Sequence, residues 1–200
     1  MHLQIKKDWL LLCKVIPIER DKVDRFLRNE STEKLIRFLI VAEDHRYKYH
    51  WGFDIIAITR ACYKRIFFKT REGASTIEQQ LVRVIINDYS CTLSRKIKEI
   101  ILAFLIKFII DKKHIALIYL NIAYYGTNYQ CLDAILSKFG LHKGSILNDE
   151  ICSEVIARLK YPEPQHHNEK RSKQIERRKQ HILHLYKHYS TNKILNIWLK

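Results

Sequence analysis

Three short stretches of this chain concentrate side chains capable of chemistry. The first runs from Ala42 to Asp54 and packs Glu43, Asp44, His45, Arg46, Lys48 and His50 among four aromatic residues. A glutamate held at a helix end can serve as a general base. The plainer alternative is a solvated helix terminus, the usual fate of a Glu-Asp pair. The second stretch, Gly73 to Arg83, opens a helix with small residues and the hydroxyls of Ser75 and Thr76, followed by Gln79, Gln80 and Arg83. Free backbone N–H groups at such a helix mouth form a ready anion site. Read plainly, Ser75-Thr76-Ile77-Glu78 is a capping box and nothing more. The third stretch, Ser94 to Glu99, sets Arg95, Lys96 and Lys98 beside one carboxylate. As a surface i,i+4 pair, Arg95 and Glu99 would contribute only about 0.3–0.5 kcal/mol.

The elements that must position these groups are helical. Leu35, Ile36, Leu39, Ile40 and Ala42 recur at helical spacing, which predicts a helix from Thr32 to Glu43. A second is expected over Asp54 to Phe68, and a third from the capping box to about Ile86. Arg71 to Ala74 reads as a mobile loop. The helix beginning near Thr92 carries two apolar faces, one with Leu93, Ile97, Ile100, Ile101, Phe104 and Phe108, the other with Leu102, Ala103, Ile106 and Ile110. Such a helix is expected in the middle of a bundle. Further helices are expected over Lys112–Asn121, Ser153–Leu159 and Arg171–Tyr189, with a break at Tyr161-Pro162-Glu163-Pro164. Residues 1–30 show no clear period and read as a lead segment, 31–189 as the domain and 190–200 as a tail.

Composition narrows the class. Five Gly and three Pro in 200 residues disfavour a β architecture rich in tight turns, and the expected fold class is all-α. A formal charge of +15 predicts attraction to a polyanion, whether nucleic acid, an anionic bilayer or a phosphate-bearing substrate. The five cysteines are odd in number and show no C-x-x-C pair, so free thiols are expected. His181, His184 and His188 share a helical face, more readily explained as solvated than as a metal site. No signal peptide is legible, and the apolar run Ile100–Ile110 is about half the ~20 residues a membrane span needs.

Taken in order, the three stretches resemble the motifs of glycosyltransferase family 51, the peptidoglycan glycosyltransferases. The Glu-Asp-x-x-Phe-x-x-His-x-Gly-x-Asp motif is similar to Glu43-Asp44, Tyr47, His50, Gly52 and Asp54; Gly-Gly-Ser-Thr-Ile-x-Gln-Gln-Leu is similar to Gly73–Leu81, with Ala74 for the second Gly. Arg-Lys-x-x-Glu corresponds to Arg95, Lys96 and Glu99, and Tyr-Leu-Asn to Tyr119–Asn121. Glu154 and Pro162 resemble the last motif, and Arg177-Arg178 a family Arg pair beyond it. Several positions depart from the pattern. Cys91 stands where the family carries a cation, Arg83 where it has Lys, Val84 where it has Asn, and Gln130 interrupts a Tyr-Gly pair. The family's N-terminal membrane anchor is not found.

The resemblance implies a lysozyme-like helical lobe with a small hydrophobic jaw facing the membrane, for which Ile66–Gly73 is the candidate segment. It implies that lipid II and a growing glycan strand are the substrates and that undecaprenyl pyrophosphate leaves. Glu43 and Glu99 are then the expected catalytic residues, Glu43 as base and Glu99 orienting the cations or the donor. The expected substrate-binding residues are Asp44, His50, Arg60, Ser75, Thr76, Gln79, Gln80, Arg83, Arg95 and Lys96. No dedicated metal cage is expected, although some relatives place a divalent cation (Mg or Mn) near the pyrophosphate. The expected location is peripheral, on the outer face of the bacterial cytoplasmic membrane, against an anionic surface and away from nucleic acid. A member that binds lipid II or glycan without efficient turnover, a basic nucleic-acid binder and a lysozyme-like hydrolase are the alternatives.

Overall fold

The computed structural model describes residues 2–26, 29–70 and 73–191. Among these, α-helices and short turns make up the regular structure, and the only ladder pairings are isolated bridges from Gly126 to Tyr129 and to Glu163. The all-α expectation holds. The helices are α1 (His2–Val23), α2 (Glu30–Glu43), α3 (Ile55–Phe68), α4 (Ile77–Ile86), α5 (Leu93–Ile106), α6 (Lys112–Ile122), α7 (Leu132–Ser137), α8 (Asp149–Lys160) and α9 (Glu169–Thr191).

Most begin on a side-chain cap that satisfies otherwise orphaned N–H groups. Asn29, Asp54, Thr76, Thr92, Asp111 and Asn148 each accept from the first turn of the helix that follows. The core is built around α6, which is nearly encircled by neighbours and buries Ile115 through Leu120 without a gap. Around it pack α1, α2 and α4, while α8 and α9 pair along the far side of α2. Phe38 of α2 stacks on Tyr186 of α9 with ring centroids 3.9 Å apart.

Besides the short helix α7, which no sequence period announces, the structure departs from the sequence reading in three elements. The lead segment is largely helix α1, which buries Leu12, Ile16 and Val23 while Leu3, Leu10 and Ile18 stay exposed. Apolar residues on both sides, together with Pro17 in mid-helix, erase the period there. Helix α5 is not enclosed: Leu102, Ala103 and Ile106 are buried, but Leu93 and Ile97 are 77% and 40% exposed, and Phe108, just past its end, is 68% exposed. Periodicity identifies both faces but does not tell what covers the second. Thirdly, the cap of α4 is Thr76 rather than Ser75. Its Oγ1 accepts from Gln79 N and donates to Gly52 O, leaving Ser75 outside the helix.

Gly52 locks the Ala42–Asp54 stretch onto α5. Its φ is +88°, and a Cβ there would lie 2.3 Å from Ala103 O. Only glycine permits that approach. Helix α3, beyond it, has no buried residue, and Ile55, Ile56, Tyr63, Ile66, Phe67 and Phe68 are all exposed. Part of the candidate jaw (Arg71 and Glu72) and the tail from residue 192 lie outside the described residues.

Candidate active site

A cleft of about 1130 Å³ opens where α2, α4, α6, α8 and α9 converge. Glu43, the last residue of α2, stands in its wall. One carboxylate oxygen accepts from Gln80 Nε2 of α4 at 3.2 Å, the other from Arg178 Nη2 of α9 at 2.9 Å. Its side chain remains 16% exposed, toward the cleft. Beside it, burial pushes the Tyr119 phenol well up, and the Glu43 charge adds to that shift. Burial lowers the pKa of His45, another wall residue, and the charge of Arg60 lowers it further.

On the other side is a layer of cations over a buried carboxylate. Glu99, completely buried on α5, accepts from Arg83 Nε at 2.7 Å and Nη2 at 3.2 Å, and from Arg95 Nη1. Lys96 Nζ lies 3.5 Å from it. The same ammonium donates to Ser75 Oγ at 2.9 Å and Gln79 Oε1 at 2.7 Å, which ties α5 to the mouth of α4. Burial lowers the Lys96 pKa, and the neighbouring charge of Arg83 lowers it further, against the pull of Glu99. For Arg83, burial also opposes the charge, but the Glu99 hydrogen bond and carboxylate outweigh it and raise the pKa. Arg83 and Ser75 reach the cleft wall, as does Arg60 of α3.

Behind the wall is a third group. Asp44 accepts from His50 Nε2 at 3.0 Å and from Ile77 N, at the start of α4, at 3.2 Å. Glu78 pairs with Lys112 Nζ at 2.8 Å, and burial raises its pKa despite that ammonium. Asp44, His50 and Glu78 offer potential metal-ligand atoms within 4.8 Å of one another. The Lys112 ammonium takes Oε1 of Glu78 and the Ile77 N–H one oxygen of Asp44, while Glu78 Oε2 and His50 Nδ1 are buried without a hydrogen-bond partner, so the cluster keeps two donor atoms that could meet a cation. Around Glu99 both carboxylate oxygens are taken by Arg and Lys, which leaves that carboxylate poorly suited to a divalent ion.

The site residues expected from sequence therefore divide in two. Glu43, Arg60, Ser75, Gln80 and Arg83 line the cleft. Asp44, His50, Thr76, Gln79 and Glu99 are buried behind it, holding the helix ends and cations in register. Arg95 and Lys96 lie between, partly buried on Glu99. The sequence singles out Arg178 only as half of an Arg pair, and no role follows from that. Of the departures from the motif pattern, Val84 and Gln130 are wall residues, whereas Cys91 is exposed on the approach to α5.

The cleft thus sets the Glu43 carboxylate in one lining with Arg60 and Arg83. The transglycosylase family model matches residues 15–199, and the chain belongs to that family. It is 41% identical to Penicillin-binding protein 1A of Vibrio cholerae over 98 residues, covering 48% of this chain and 12% of that protein. It is 33% identical to the Monofunctional glycosyltransferase of Staphylococcus saprophyticus over 100 residues, 50% of this chain and 37% of that one. With the Monofunctional glycosyltransferase of Staphylococcus aureus it shares 30% over 130 residues, 60% and 48% of the two chains. The matched part thus spans less than half the length of each of these relatives.

Proposed function

We propose that this chain is a peptidoglycan glycosyltransferase that joins lipid II units into a glycan strand and releases undecaprenyl pyrophosphate. The observation that carries the reading is that one cleft is lined by the carboxylate of Glu43 and by Arg83, which is itself seated on Glu99, with Arg60 beside them. Glu43 takes the proton from the acceptor sugar's 4-hydroxyl as its oxygen attacks the donor's anomeric carbon. The bond from that carbon to the pyrophosphate oxygen breaks, its electron pair leaves with the pyrophosphate, and the centre inverts. Arg83, Lys96, Arg95 and Arg60 face the negative charge that grows on the leaving group. A divalent ion is not required by this scheme.

The lipid tail implies a membrane surface. No helix among the described residues is long and apolar enough to cross a membrane. The exposed apolar side chains of α3 and α5, with Trp51 near the Lys107 ammonium at 4.2 Å, suit contact with a bilayer surface. The reading places the chain peripherally on the outer face of the cytoplasmic membrane. The test is incubation of the purified chain with labelled lipid II in detergent or vesicles. Glycan polymer and undecaprenyl pyrophosphate should appear together; sugar release without polymer would indicate hydrolysis. Binding of lipid II without either product would favour a weakened family member, a reading supported by the neutral, exposed Cys91 four positions before Arg95.

A further inference from the structure

The base proposed above is gripped from two helices that are remote in sequence. Arg178 lies 135 positions after Glu43, in the middle of α9. Its Nη2 donates to Glu43 Oε1 at 2.9 Å and also to the backbone carbonyl of Ala42 at 2.7 Å. One guanidinium nitrogen therefore fixes both the last turn of α2 and the carboxylate that the turn presents. The Ala42 carbonyl is among the last of the helix, which lack an intrahelical donor, and a cation there is favoured by the helix dipole. From the opposite side Gln80 Nε2 of α4 donates to the second oxygen, Oε2. Arg178 is only 12% exposed, and its Nε is buried with no partner, which indicates a guanidinium seated for the contacts of Nη2 and not for its own full satisfaction.

We propose that Arg178 and Gln80 are positioning residues that clamp the Glu43 carboxylate in one rotamer, with its remaining lone pairs directed into the cleft. A single-bond rotation would otherwise swing the carboxylate by more than an ångström, and a misplacement of that size costs on the order of a hundredfold in rate. The clamp assigns Arg178 to the acid wall and separates it from the phosphate-facing cations, although all are basic residues of one cleft.

The proposal rests on the glycosyltransferase reading, and the experiment keeps the two apart. Crystal structures of Arg178→Met and of the unaltered chain are compared first, without substrate. The clamp predicts a displaced or multiply placed Glu43 carboxylate in the variant; an unmoved carboxylate overturns it whatever the activity. Lipid II turnover is then measured for the unaltered chain, Arg178→Met and Gln80→Leu. The expected outcome is a kcat lowered about thirty- to hundredfold for Arg178→Met and less for Gln80→Leu, with KM nearly constant. Added guanidinium should restore part of the Arg178→Met rate. A raised KM at unchanged kcat would make Arg178 a substrate ligand and overturn the clamp. If Arg178→Met fails to fold, Gln80→Leu carries the same crystallographic and kinetic comparison. Absence of turnover by the unaltered chain would contradict the functional reading, while the position of the carboxylate in the two crystal structures would still decide for or against the clamp.

Discussion

Glu43 and Glu99 carry the same side chain into opposite surroundings. Glu43 ends its helix at a cleft, touches one cation and one amide, and keeps part of its surface open. Glu99 has no exposed surface and collects Arg83, Arg95 and Lys96 around both of its oxygens. A carboxylate whose two oxygens are both held by charged donors is committed to assembling those cations and is closed to a substrate hydroxyl. One with a face open to the cleft is within reach of it. The two acidic motifs are therefore not interchangeable, and on the proposed reading the Glu43 side of the cleft serves proton transfer and the Glu99 side the leaving anion.

The largest effect expected to test this contrast is on stability. Glu99→Gln leaves three cations around a neutral amide, and breaking a buried ion pair from one side costs about 3–5 kcal/mol. Denaturant unfolding should show it; a loss below about 1 kcal/mol would mean the cations find other counter-charges and that Glu99 does not organise them. Next in size is Cys91→Arg, which adds a cation to the approach of α5. A charge-assisted bond to phosphate contributes about 1.5–3 kcal/mol, so kcat should rise roughly ten- to hundredfold. An unchanged or lower rate in a folded variant would show that the cation wall is already complete without it.

Binding to the membrane should sharpen the same division, because the cation wall adjoins the exposed face of α5. Each Lys or Arg near an anionic bilayer contributes about 1 kcal/mol, screened by salt. Vesicles containing anionic lipid should therefore bind more tightly than neutral ones at low salt, and equal binding would remove the electrostatic part. The smallest effect is in the pH profile. Since burial lowers the pKa of Lys96, raising the pH through that value neutralises a cation of the leaving-group wall. The alkaline fall in rate should begin below the ordinary lysine range, and Lys96→Arg should move it upward. The sign for stability is the reverse: protonating this buried group burdens the fold, and the burden lifts as pH rises through the same pKa.

Much of this is legible in the sequence where signals are local. Caps such as Thr92 and the spacing of Leu35, Ile36 and Leu39 place α2 and α5 within a few residues. The capping box falls one residue early because Ser75 and Thr76 both fit its first position. Only the packing of Gly52 against Ala103 turns Thr76 inward to serve as the cap. Helix α1 is hidden by Pro17 and by apolar residues on its exposed as well as its buried side, and α7 is too short to show a period. In the site, neighbours on one helix turn can be read, as with Arg95 and Glu99. The grip of Arg178 on Glu43 cannot, because contacts between distant helices depend on how α9 lies across α2, which spacing does not encode.

The most direct test of the contrast is Glu43→Gln, followed by lipid II polymerisation and thermal unfolding on the same preparations. The amide keeps the shape of the side chain but cannot take the acceptor's proton. The account predicts that turnover falls by about 10²–10⁴ while the melting temperature changes far less than in Glu99→Gln. Polymer synthesis at an undiminished rate by folded Glu43→Gln would contradict it.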